Sequence, residues 1–430
     1  MHTATHHIPG LTLIEHEFRV PLDHGRPDGE RITVFAREVV AAENEKADLP
    51  WLVFFQGGPG FGAPRPDGKH GWLKRATRDY RVLLLDQRGT TARSTPVTHQ
   101  TLARFPTPQA QADYVGRFRA DAIVNDAECI RRELIGDEKW SVLGQSFGGF
   151  CVTHYLSAAP HGLKEAMITG GLPPLDRPID DIYRATYKRV IDKNRLYFER
   201  YPGDVERVRD IVDHLATHDV RCPAGDGLTP RRFQQLGFSL GASYGFESVH
   251  YLLDEAFVQG ASGWDIGFAF RRGVENFHAF ETNPIYALLH EAAYCQAQAS
   301  QWSAERVRAE YPEFDIRPGR PVSFTGEMIY PWMFDEYRYL QPLKEAADLL
   351  AARTDWPRLY DANVLRHNTV PCAAVIYYND MYVERAFSEE TAQTIRGIKV
   401  WVTSEYEHNG LRADGEKILG RMIDLLRGEP

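Results

Sequence analysis

A chain of 430 residues with 43% hydrophobic and 12% aromatic side chains supplies a large core, which excludes wholesale disorder and allows one α/β domain with an insertion, or two domains. Its formal charge of −9 argues against nucleic acid or anionic membranes as partners, because both reward basic surfaces. No apolar run reaches the length of a bilayer span, and the start, MHTATHHIPGL, lacks the basic and apolar regions of a secretory signal.

The first forty residues read as extended segments, Leu11 to Val20 and Arg31 to Val40, separated by the turn-rich DHGRPDG and suited to an antiparallel edge. WLVFFQ (Trp51 to Gln56) is an apolar run of strand length that ends in Gly57-Gly58-Pro59-Gly60. YRVLLL (Tyr80 to Leu85) ends in Asp86-Gln87-Arg88-Gly89. Asp113 to Leu134 has helical spacing. Lys139 to Leu143 then forms a short strand, followed by Gly144-Gln145-Ser146-Phe147-Gly148 and a helix-like segment, and Leu163 to Thr169 is one more apolar run. Continuous apolar strands alternating with helices indicate a parallel sheet covered on both faces. Beyond Pro178 the pattern turns to amphipathic helices without strand alternation until about Trp356, and twenty-one aromatic residues fall between Phe238 and Tyr339. Strands return at Pro371 to Tyr378 and Lys399 to Thr403, and Arg412 to Arg427 closes the chain as a helix. The expected organisation is a core in two parts, 1–177 and 359–430, interrupted by a mainly helical block, 178–358. Aromatic lining suits a block that closes over a ligand site, although an ordinary helical core also accounts for it.

Gly-x-Ser-x-Gly after a strand and before a helix is a nucleophile elbow, which lifts a serine hydroxyl from the end of a parallel sheet. Ser146 is the candidate nucleophile. Two further matches, Gly237 to Gly241 and Gly241 to Gly245, follow the helical TPRRFQQL with no preceding strand, and they read as a glycine-rich bend. A serine needs a base oriented by a carboxylate. Asp380 and His408 follow the last two strands, where loops converge in open α/β sheets. His367 and Asp361 precede their strand, and Asp414 lies in the final helix. The oxyanion of an acyl-transfer intermediate needs backbone N–H donors. Phe147, the residue after the nucleophile, supplies one, and the Gly57–Gly58 turn supplies the other, with Gly58 preferred. Five cysteines (Cys129, Cys151, Cys222, Cys295, Cys372) form no CxxC pair. That is the pattern of free thiols in a reducing compartment, so neither a disulfide framework nor a zinc site is expected and the chain is expected in the cytoplasm.

The segments QGGPG (Gln56 to Gly60), DQRGT (Asp86 to Thr90) and GQSFGG (Gly144 to Gly149), with the late Asp380 and His408, resemble the proline iminopeptidases of the α/β-hydrolase fold. GEMIYPW (Gly326 to Trp332) is similar to the longer-chain branch of that family. Two features depart from the pattern: Gln56 stands where many members have His, and Thr91 to Ser94 extends the segment after DQRG. The resemblance implies release of N-terminal proline from peptides without metal or organic cofactor, and acidic residues in the insertion that bind the free imino group. A cationic amine in a closed apolar site requires a carboxylate partner. Glu327 is the first choice and Glu291 the second, with Glu281 and Glu247 as substitutes. An esterase or amidase of the same fold, and a binding protein that keeps the fold without catalysis, are the competing readings. The sequence leaves the oligomeric state open.

Overall fold

The computed structural model describes residues 2–261 and 263–429. Eleven strands occur in chain order among them: β1 (His2–Ile8), β2 (Leu11–Pro21), β3 (Arg31–Ala41), β4 (Trp51–Phe55), β5 (Arg81–Asp86), β6 (Trp140–Gln145), β7 (Leu163–Thr169), β8 (Phe257–Gly260), β9 (Gly263–Ile266), β10 (Cys372–Tyr377) and β11 (Lys399–Thr403). Nine of them form one sheet in the order β1-β2-β3-β5-β4-β6-β7-β10-β11. β1, β2 and β3 are antiparallel to their neighbours, and from β5 onward every pair is parallel.

The parallel strands are nearly all apolar because both faces of the sheet are covered. Residues of β4 and β5 such as Leu52, Val53, Leu83 and Leu84 are fully buried, each worth about 1.5–3 kcal/mol relative to exposure. Two cores result, one on each face of the sheet: Val53, Phe55, Leu83 and Leu85 face one, and Leu52, Phe54, Val82 and Leu84 face the other. That alternation follows from the period of two along a strand. Register then sets where the chemistry collects. Phe55 stands beside Gly144, Gln145 beside Thr169, Thr169 beside Val375, and Tyr377 beside Thr403. The carboxyl ends of β4, β6, β7, β10 and β11 therefore open on one edge.

Some expected elements are divided. The helix expected over Asp113 to Leu134 is two, Pro108–Val115 and Ala120–Ile135, with Gly116 at the break, where glycine is a poor helix former. The last helix divides into Gly410–Ala413 and Gly415–Arg427; a Cβ on Gly415 would lie 2.6 Å from the Trp72 amide nitrogen, so the chain turns where it packs against Trp72. Between β7 and β10 lies the helical block, led by the 22-residue helix Ile179–Arg200. It also contains the hairpin β8–β9, which the sequence reading did not anticipate. Its strands have four residues each and are mostly exposed, so they carry no apolar alternation.

Gly148, in the first turn of the helix Phe147–Ala158, leaves no space for a side chain: a Cβ there would stand 1.9 Å from the Phe55 carbonyl oxygen. Gly148→Ala should therefore lower stability by about 3 kcal/mol or more, at the upper end of overpacking costs. Gly203 has helical backbone angles and open space around it, so Gly203→Ala should be neutral or stabilising by about 0.4–1 kcal/mol. Urea unfolding of the two variants beside the parent checks both.

Candidate active site

Ser146 occupies the corner between β6 and the helix Phe147–Ala158, with φ 56° and ψ −126°. A residue with a side chain held at such angles costs about 1–3 kcal/mol, so the surroundings must hold it. The Ser146 amide donates to the Thr169 carbonyl at 3.0 Å, and the Ser146 carbonyl accepts from the Gly149 amide at 2.7 Å. Phe147, as first residue of the helix, has an N–H with no intrahelical acceptor, at the positive end of the helix dipole. Gly57 presses on the same corner: a Cβ on it would lie 2.9 Å from that of Ser146. Gly58, at φ 135°, leads away from it.

The 56–63 loop is braced from behind by the DQRG segment. The Asp86 carboxylate accepts from the Ala63 amide at 2.9 Å, from Arg65 at 2.6 and 2.9 Å, and from the Thr91 hydroxyl at 2.9 Å. The Gln87 side chain donates to the Gln56 carbonyl at 3.0 Å, and the Ser94 hydroxyl to the Asp86 carbonyl at 2.7 Å. Both departures from the family pattern are thus absorbed: Gln56 is held through its backbone, and the residues after DQRG tie back to Asp86.

His408 and Asp380 face each other, with Nδ1 and Oδ2 2.7 Å apart. The other carboxylate oxygen accepts from the amides of Tyr382 at 2.8 Å and Val383 at 3.0 Å. Three donors fix a buried Asp380 carboxylate, and the bond to Nδ1 leaves Nε2 as the acceptor. The Tyr382 ring packs on the imidazole, centroids 4.7 Å apart. The rival residues are occupied elsewhere. Asp361 caps the helix Ala362–Arg366, Asp414 accepts from the Tyr406 hydroxyl at 2.7 Å, and His367 is exposed beside the Asn363 carbonyl.

Ser146, His408, Gly57, Gly58 and Glu327 all line one cavity of about 640 Å³, a size that encloses a small ligand. A narrow cleft continues past Ser146 between Phe147, Phe150, His290, Tyr294 and Glu327. The glycine-rich bend, which the sequence marked only as a turn, forms part of the wall through Phe238, Ser239, Gly241 and Tyr244.

Glu327 is buried and accepts from the Tyr286 hydroxyl at 3.1 Å. Burial raises its carboxyl well above the usual range, against the pull of Tyr286, and Asp380 adds to the rise. His290 Nε2 lies 3.9 Å away, but burial lowers that imidazole to about 4, so it is neutral. No lysine or arginine pairs with Glu327 among the described residues. Glu291 is not at the cavity. Its oxygens accept from the amides of Ser303 at 3.3 Å and Ala304 at 2.9 Å, at the start of the helix Ser303–Arg308. That corrects its assignment as a substrate ligand, because its hydrogen-bonding capacity goes to a helix end. Glu281 binds the Tyr339 amide at 2.7 Å, and Glu247 pairs with Arg200 at 2.7 Å. Sequence reasoning missed Tyr286, His290 and Tyr294, which follow one another at a spacing of four; their rings are in contact in succession, the first pair tilted and the second edge to face, centroids 4.8 and 6.1 Å apart.

Among the described residues, Cys222, Asp226 and Glu275 have metal-ligand spacing, but none lines the cavity. Asp226 is paired with Arg232, Glu275 with Arg272 and the Ala224 amide, and burial raises the Cys222 thiol to about 11.

Residues 50–259 match the family model of the alpha/beta hydrolase fold. The chain is 50% identical over 429 residues to a proline iminopeptidase of Aeromonas sobria, covering 99% of this chain and 100% of the relative. It is 35% identical over 426 residues to a proline iminopeptidase of Aspergillus aculeatus, covering 96% and 93%. A crystal structure of proline iminopeptidase from Mycobacterium smegmatis aligns over 96% of this chain and 98% of that one, at 14% identity and a TM-score of 0.46.

The raised carboxyl of Glu327 has a thermodynamic consequence. A group whose folded pKa lies above its unfolded value favours the folded state fully at low pH and loses that contribution as pH rises toward the folded pKa. Glu327→Gln carries no such charge. Its stability relative to the parent should therefore climb as pH rises above the ordinary carboxylate range, read from chemical denaturation over a series of pH values, and a flat difference would contradict a raised pKa.

Proposed function

The chain belongs to the proline iminopeptidase family on the α/β-hydrolase fold, and from that premise we propose that it is a serine aminopeptidase releasing N-terminal proline from peptides. What carries this assignment is the meeting, in one cavity, of Ser146 and His408 with a buried carboxylate, Glu327, that has no cationic partner. A protonated N-terminal secondary amine, the imino group of proline, supplies the missing charge. Because the carboxylate is fixed at a short remove from the serine, only the first residue of a chain can present its carbonyl there.

Ser146 Oγ attacks the carbonyl carbon of the first residue while His408 Nε2 takes its proton. Asp380 holds Nδ1–H and stabilises the imidazolium. The developing oxyanion faces the amides of Phe147 and of the Gly57–Gly58 turn, with Gly58 the principal donor. His408 then protonates the leaving nitrogen, the shortened peptide departs, and water activated by His408 hydrolyses the prolyl ester. Residues 178–358 serve as a cap over the two core segments, and Glu327 is the cap's substrate ligand; Glu291 has a structural part. The free cysteines, four of them buried, support a reducing, cytoplasmic setting.

Ser146→Ala should fold normally and lose about four or more orders of magnitude in kcat on proline p-nitroanilide. Retained activity in that variant would remove the assignment of the nucleophile. The parent should hydrolyse proline p-nitroanilide and reject its N-acylated form, and Glu327→Gln should raise KM for the free-imino substrate about tenfold to a hundredfold, the scale of a charge-assisted hydrogen bond. Equal turnover of the blocked substrate would instead favour a general amidase.

A further inference from the structure

The two loops that carry Asp380 and His408 are both gripped by one turn of a single helix in the inserted block. Arg189 and Lys193 lie four residues apart on Ile179–Arg200, hence on one face. Arg189 makes a bidentate pair with Glu384 at 2.7 and 2.8 Å, four residues beyond Asp380. Lys193 Nζ stands 2.6 Å from Glu407, the residue before His408. The Lys193 side chain is only 4% exposed, and ordering so long a side chain against solvent entropy is worthwhile only for a strong partner. The same loops receive neutral contacts from the insertion: the His408 amide donates to the Gly241 carbonyl at 3.3 Å, Ser243 donates to Asn409 through its amide and its hydroxyl, and the Tyr382 hydroxyl donates to the Phe238 carbonyl at 2.5 Å. Gly241 has no room for a side chain, since its Cβ would sit 2.3 Å from the Tyr382 ring.

We propose that Lys193 is a positioning residue for the acid–base pair: with Arg189 it forms a two-pronged clamp through which the insertion fixes the His408 loop against the Asp380 loop. Neither side chain needs to touch substrate. Loss of one prong loosens the loop that carries His408, and misplacement of a reacting group by about 1 Å costs up to a hundredfold in rate. The clamp concerns the geometry of the acid–base pair and serves acyl transfer from any leaving group, so it goes beyond the choice of proline.

The test is a double-mutant cycle on the full chain with Lys193→Met, Glu407→Gln and the double variant. Each single variant should lower kcat on proline p-nitroanilide about tenfold, leave KM within about twofold, and slow labelling of Ser146 by a fluorophosphonate about tenfold. The double variant should be no worse than either single one, and Lys193→Arg should recover most of the rate. Circular dichroism melting establishes that the variants are folded, and if Lys193→Met fails to fold, Glu407→Gln, a neutral isostere on a partly exposed residue, decides alone. Full labelling rates in both single variants, a change in KM without one in kcat, or a hundredfold additive loss in the double variant overturns the clamp. Failure of the parent to cleave prolyl substrates while it still labels with the fluorophosphonate counts against the proline assignment and leaves the clamp measurable by labelling.

Discussion

Everything at the proposed active site depends on backbone meeting backbone at the elbow. Four glycines stand where a methyl group would collide with main-chain atoms: Gly144 against Gly148, Gly148 against Phe55, Gly149 against Gly171, and Gly171 against Ser146, all at 1.9–2.4 Å. This close packing lets strand, turn and helix share one volume, and it holds Ser146 at backbone angles that its own side chain disfavours. It also brings the helix start and the Gly57 turn to the same point. The strain at Ser146 is local, while the support comes from the buried strands of both cores and from Asp86 and Gln87, which tie the 56–63 loop from behind at the Ala63 amide and the Gln56 carbonyl. A side chain at any of the four glycines would separate donors that have to converge on one oxygen.

The second constraint is electrostatic, and it separates two buried carboxylates. Asp380 is enclosed but takes three strong hydrogen bonds, two of them from backbone amides, which replace the water that it gave up. Glu327 is enclosed with one phenolic donor and a neutral imidazole 3.9 Å away. Its charge is therefore uncompensated until a cation arrives, and the negative Asp380 nearby adds to the demand. Burying an unpaired charge costs several kcal/mol, so burial favours the protonated form of Glu327, and in the proposed function a protonated amine supplies the missing counter-charge. In the proposed function, selectivity for a free chain terminus follows from desolvation: an acylated nitrogen brings no charge and leaves the carboxyl as it was.

The core was legible because its inner strands, such as Trp51–Phe55 and Arg81–Asp86, are buried on both faces and read as apolar runs, while Leu163–Thr169 and the mostly exposed edge strand Lys399–Thr403 match residue for residue. Ser146, Asp380 and His408 were legible by position, each directly beyond such a strand. The insertion was less so. Glu291 and Glu327 look alike in sequence, and what divides them is distant: the amides at 303 and 304 claim Glu291, whereas Glu327 is left with Tyr286. The hairpin Phe257–Ile266 left no alternation to read because most of its side chains are exposed. The glycine-rich bend was identified as a bend, yet its glycines pack by contact with chain far away, Gly237 against Thr325 and Gly241 against Tyr382. Local spacing carries no information about such partners.

Those long-range contacts bear on how an insertion can serve chemistry. A block that merely covers the cavity would meet the core through exposed, weak contacts and would open without disturbing the machinery. Here the helix Ile179–Arg200 and the Phe238–Ser243 bend hold the loops of Asp380 and His408 by ion pairs, backbone hydrogen bonds and a glycine fitted to the Tyr382 ring. Displacing the block would break contacts within a few residues of both groups. The block that carries Glu327 also holds the loop of His408, so the proposed substrate ligand and the proposed base share one frame.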